Sequence, residues 1–135
     1  MFVFETHIRV RYAETDQMGF MYYGNYAAFY EVARTEMLRS LGMTYSSMEK
    51  DGIMLPVAEL KTKYLKPALY DENIRVKVSI LQKPSVRIVF HYELFNEKDE
   101  LINTGETTLV FFNMARNKPC LPPKIFLQEM GVFFD

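Results

Sequence analysis

The chain has 135 residues, 49% hydrophobic and 15% aromatic, with 16 Lys and Arg against 17 Asp and Glu for a net charge of −1. That size predicts a single domain, residues 1–135, and the near-neutral, apolar-rich balance excludes a disordered chain or one that coats nucleic acid. One cysteine, Cys120, forbids an internal disulfide, and two histidines are too few for a zinc cluster, so no metal is expected. The N-terminus lacks a basic region followed by an apolar run, and no apolar stretch reaches membrane-spanning length. A cytoplasmic protein without a membrane span is the expectation.

From Phe2 to Tyr12 apolar residues fall mainly on even positions, the period of a half-buried strand. Tyr26, Phe29, Tyr30, Ala33, Met37 and Leu41 then recur at helical spacing, with Gly24 and Asn25 suiting the start and Gly42 the stop. Thr44 to Lys50 suits a second, short helix. Beyond Asp51-Gly52 the chain reads as strand: Met54 to Leu65, Ile74 to Ile80, Val86 to Leu94 and Leu101 to Met114, separated by turn-rich segments. A last short helix is predicted over Lys124 to Met130. The order of strand, long helix and four successive strands predicts an α+β fold, with a curled antiparallel sheet wrapped around one central helix.

One stretch carries chemistry. Asp16 precedes Gly19 and the aromatic start of the long helix, where unpaired backbone N–H groups and the helix dipole suit a carbonyl oxygen that gains negative charge. On spacing alone Asp16 reads first as a turn residue or a capping acid. Asn25 reads either as a cap or as a group orienting water or an acyl chain. Tyr22 and Tyr26 are the aromatics expected to border an apolar pocket. Glu31 and Arg34, three apart on the helix, are expected to pair. His7 and His91 fall on the wet phase of predicted strands, and Cys120 sits among prolines as an inert thiol.

The run Arg11-Tyr12, Thr15-Asp16-Gln17-Met18-Gly19, Tyr22-Tyr23-Gly24-Asn25-Tyr26 and Phe29 to Arg34, with Tyr64 to Ala68 and Asp71-Glu72 downstream, resembles the hotdog-fold acyl-CoA thioesterases of the 4-hydroxybenzoyl-CoA thioesterase and YbgC type. The resemblance spans nearly the whole chain. It implies a catalytic carboxylate at Asp16, nucleophile or general base, and a carbonyl-binding backbone N–H at Tyr23. Tyr stands at position 23 where the YbgC branch usually carries His, which removes a histidine role and leaves the acyl group open. Gly19, Tyr22, Asn25 and Tyr26 are the expected substrate-side residues, with Ser85 and Arg87 toward the nucleotide of coenzyme A. Coenzyme A is part of the substrate, and no separate cofactor is implied. The resemblance also implies homodimers joined sheet edge to sheet edge, often paired into tetramers, with the site shared between subunits. A thioesterase for acyl carrier protein and a non-catalytic acyl-binding or assembly module are the alternatives.

Overall fold

The computed structural model describes residues 1–134. Among these the order is β1 (Phe2–Arg9), α1 (Tyr26–Ser40), α2 (Tyr45–Lys50), β2 (Ile53–Met54), β3 (Val57–Tyr64), β4 (Asn73–Ile80), β5 (Arg87–Phe95), β6 (Leu101–Val110), β7 (Phe112–Asn113), β8 (Lys118–Pro119) and α3 (Lys124–Gly131). Single 3-10 turns at Tyr12–Glu14 and Tyr23–Asn25 bracket the Asp16 loop. The five long strands form one antiparallel sheet in the order β1-β4-β5-β6-β3, and β2, β7 and β8 form a small second sheet. No helix among the described residues is long and apolar enough to cross a membrane.

The period-2 pattern decides which face of the sheet is covered. Ile74, Val76, Val78 and Ile80 of β4 are all fully buried against α1, whereas Arg75, Lys77 and Ser79 point to the outer face. From α1, Phe29, Tyr30, Ala33, Met37 and Leu38 enter the same core. Of these, Phe29, Met37 and Leu38 gain about 1.5–3 kcal/mol each on burial. The helix stops at Ser40, and Gly42, at φ +79°, takes the left-handed turn that follows.

Three expectations need correction. The first strand ends at Arg9, because the Arg11 N–H bonds the Glu14 carboxylate at 2.8 Å and curls the chain, leaving Tyr12 exposed. The Met54 to Leu65 run splits at Pro56, which has no N–H to donate; β2 pairs with β7, and β3 starts beyond the proline. Glu31 and Arg34 part: Glu31 is exposed, while Arg34 turns into the core and donates to the hydroxyls of Tyr45 at 3.3 Å and Tyr92 at 3.1 Å. The hydroxyls of two tyrosines, not a carboxylate, receive that guanidinium.

Strand order matters most for function. β3 lies beside β6 at one edge and β4 lies near the other, so residues 65–72 must cross the end of the sheet. That crossing segment meets the loop carrying Asp16.

Candidate active site

Asp16 sits in a tight reversal between β1 and α1. Its N–H donates to the Phe20 carbonyl at 2.8 Å, and Gly19, at φ +79°, returns an N–H to the Asp16 carbonyl at 3.1 Å. A side chain at position 19 would meet no neighbour, so glycine is required there by its backbone conformation. The carboxylate is held asymmetrically. Oδ1 accepts the N–H groups of Met18 at 2.9 Å and Phe20 at 3.2 Å, whereas Oδ2 has no donor among the described residues. One oxygen fixes the orientation and the other is left for a ligand.

The loop is clamped from both sides. The crossing segment accepts the Met21 N–H at the Ala68 carbonyl, 2.7 Å, and returns the Tyr70 N–H to Gly19 at 3.1 Å. On the other side the Glu14 carbonyl takes the Tyr22 N–H at 2.8 Å and the Asn25 side-chain amide at 2.9 Å. Asn25 therefore makes no cap hydrogen bond; it ties the helix start to the residue two before Asp16. Glu14, almost buried, anchors this strap through Arg11. Its spacing from Arg11 is the three-residue reach of a capping box, a pattern visible in the sequence.

The Tyr23–Asn25 turn leads directly into α1. The N–H groups of Tyr23 and Gly24 open it and have no carbonyl partner among the described residues, as expected of the first donors of a helix. Gly24 is needed for packing: a Cβ there would lie 2.6 Å from the Tyr22 ring, which folds over it.

A cavity of about 370 Å³ joins these parts. Asp16, Tyr23, Tyr26 and Tyr64 line it, with Leu65 and Pro67 adding apolar surface. Tyr26 borders the cavity as expected, and burial pushes its phenol above the ordinary range, which keeps it neutral. Tyr22 does not line it; its ring packs on Tyr23 at 4.6 Å. Tyr64, whose place in the sequence assigns it no role, closes the cavity from the end of β3. A larger depression of about 590 Å³ lies on the outer face of the sheet among Lys61, Lys63, His91 and Glu106, and Asp16 does not line it. His91 there lies 3.9 Å from Glu106, and Lys61 pairs with Glu59 at 3.1 Å; the smaller cavity is the one lined by Asp16 and Tyr23.

Ser85 and Arg87 are not brought to this cavity within one chain. Arg87 opens β5 opposite Val110, whose N–H bonds Pro56 next to the start of β3, whereas the cavity lies at the Tyr64 end. The eight residues of β3 separate the two ends by about 23 Å.

Comparison with known proteins agrees with this geometry. The family model described as the thioesterase-like superfamily matches residues 10–130. YneP of Bacillus subtilis, provisionally named an acyl-CoA thioesterase, is 42% identical over 93% of this chain and 91% of its own. The acyl-CoA thioester hydrolase YbgC of Escherichia coli O157:H7 is 30% identical over 94% of this chain and 95% of its own. The solved structure of a DHNA-CoA thioesterase from Staphylococcus aureus superimposes with a TM-score of 0.89 at 41% identity, covering 98% of this chain and 89% of that one. A helix wrapped by an antiparallel sheet, matched along nearly its full length by these relatives, is the hotdog fold, and the chain belongs to the thioesterase-like superfamily.

Proposed function

We propose that this protein hydrolyses acyl-CoA thioesters to the free acid and coenzyme A, with Asp16 as the catalytic carboxylate. The observation that carries this is the half-occupied carboxylate: Oδ1 is held by two backbone N–H groups and Oδ2 is free, beside the open first turn of α1 in one aromatic-walled cavity. A thioester suits so weak a base or nucleophile as a carboxylate because thiolate leaves readily.

Two routes use the same atoms. As general base, Asp16 takes a proton from water while hydroxide adds to the carbonyl carbon; the C–S bond then breaks and the thiolate recovers the proton. As nucleophile, Oδ2 adds to that carbon and expels the thiolate, and water hydrolyses the resulting mixed anhydride. In both, the Tyr23 N–H receives the carbonyl oxygen as its charge grows, a contribution typically worth about 10²- to 10³-fold. Single-turnover hydrolysis in ¹⁸O-labelled water separates them: label in the Asp16 peptide marks the nucleophilic route. Neither route employs a metal.

The walls of Tyr26 and Tyr64 favour an aromatic acyl group, in keeping with the DHNA-CoA thioesterase named above. Such a substrate fits a cytoplasmic protein. We further propose that two copies pair through β3, the open edge of the sheet, where Val57, Leu60 and Tyr64 are all more than 40% exposed. Antiparallel pairing of β3 with its copy sets the Val57 end of one chain beside the Tyr64 end of the other. The partner's β5 start, where position 87 lies, then approaches the cavity from which it is separated within one chain. The mass in solution should be two or four times the 15.9 kDa of one chain.

A hydrolysis screen over short, long and aromatic acyl-CoAs, with the same acyl groups on acyl carrier protein, tests the reading. Turnover of CoA esters, highest for aromatic ones, is expected. Preference for the protein carrier would transfer the assignment to that substrate, and binding without any turnover would identify an acyl-binding module.

A further inference from the structure

We propose that Tyr64 is a positioning and selectivity residue of the Asp16 site: its hydroxyl sets the carbonyl-binding turn, and its ring sets the width of the acyl slot. The inference rests on the thioesterase reading above and adds a residue to it.

Tyr64 ends β3 and donates its hydroxyl hydrogen to the Tyr23 carbonyl at 3.2 Å. That carbonyl also accepts the Tyr26 N–H, which closes the turn leading into α1. A second donor on one carbonyl does two things. It fixes the plane of the peptide that carries the Gly24 N–H, and it polarises that N–H, since linked hydrogen bonds strengthen one another by about 10–30% each. The Gly24 N–H, a second donor to the carbonyl oxygen beside that of Tyr23, is thus oriented by a side chain from the sheet and not by the helix alone.

The ring has a separate effect. It meets the Tyr26 ring edge-on at 5.0 Å and 75°, and the Tyr23 ring at 6.3 Å and 79°. Tyr26 is locked in the core by α1, whereas Tyr64 closes the slot from the edge strand of the sheet, so Tyr64 is the wall that sets its width. Its strand bonds to β6 on one side only, with Tyr64 opposite Asn103. Whatever covers the open edge of β3 therefore bears on the residue that holds the turn.

The test compares wild type, Tyr64→Phe and Tyr64→Ala. Their kcat and KM are measured on benzoyl-CoA and butyryl-CoA, and the amide resonance of Gly24 is followed by ¹⁵N–¹H correlation spectra in wild type and Tyr64→Phe. Tyr64→Phe keeps the ring and loses one neutral hydrogen bond, so kcat should fall about 2- to 10-fold on both substrates while KM changes less than about twofold. Its Gly24 amide should move upfield. Tyr64→Ala should raise KM for benzoyl-CoA about tenfold relative to butyryl-CoA, because the aromatic slot loses a wall. An unmoved Gly24 resonance with wild-type kcat in Tyr64→Phe, or an unchanged substrate ratio in Tyr64→Ala, would overturn the inference and leave the thioesterase reading standing. Absence of wild-type turnover on every acyl-CoA of the screen above would defeat that reading, and the Gly24 resonance alone would then decide whether Tyr64 sets the turn.

Discussion

The middle of the long helix and its N-terminal end use polar groups in opposite ways. In the middle of α1, Tyr30 and Arg34 enter the core and find partners. Tyr30 bonds Thr62 at 2.8 Å and Asn103, and stacks on Tyr92 at 4.2 Å with the rings 10° apart; Arg34 bonds the Tyr92 hydroxyl, which bonds Thr107 at 2.6 Å. No buried side-chain polar atom among the described residues lacks a partner. At the N-terminal end the Tyr23 and Gly24 N–H groups and the Asp16 Oδ2 oxygen have no partner among the described residues, and Asp16 and Tyr23 line a cavity. Polar groups that are satisfied internally hold the fold, since an orphan there costs about 1–3 kcal/mol. Groups left unsatisfied at the surface are those a substrate can use.

Substitutions in the two regions should separate stability from activity. The largest loss of stability is expected for Gly105→Ala, whose Cβ would lie 2.3 Å from the Tyr30 hydroxyl and must push the ring off its partners. About 3 kcal/mol, or ~10 °C in thermal midpoint, is the expected cost by calorimetry. A midpoint within 2 °C of wild type would show that the interior network is not tight.

Tyr30→Phe should cost about 1–3 kcal/mol, because Asn103, fully buried, loses its donor. The same residue shapes the alkaline limb of stability. Burial pushes the Tyr30 phenol to about 12, from the ordinary 10 of the unfolded chain. The folded protein retains a proton that the unfolded chain releases, so this stabilisation is complete below pH 10 and is lost as pH rises from 10 through about 12. Denaturation midpoints across that window should fall more steeply in wild type than in Tyr30→Phe. The smallest effect belongs to Glu31→Gln, within about 0.5 kcal/mol and with wild-type turnover, because Glu31 is exposed and Arg34 does not depend on it.

Local periodicity made most of the fold legible. The alternation of Ile74 to Ile80 and the helical spacing of Phe29, Ala33 and Met37 read directly as the two sides of one core. Strand order was not legible, because period and turn chemistry say where β3 and β4 begin but not that they lie apart in the sheet. The site was read in halves. Asp16, Gly19 and Tyr23 stand together in sequence, and a motif can carry them. Tyr64 reaches Tyr23 from 41 positions away, and Glu14 matters through its carbonyl, which every residue possesses. Asn25 shows the limit most plainly: its place before a helix suggested a cap, and the fold instead offered it the nearer Glu14 carbonyl.

The central claim is that the free oxygen of Asp16 performs the chemistry while contributing little to the fold. Turnover of the best acyl-CoA by Asp16→Asn, measured beside its thermal midpoint, tests this directly. A fall in kcat of about 10²-fold or more is expected, with KM and midpoint little changed. Near wild-type kcat in a folded Asp16→Asn protein would contradict it.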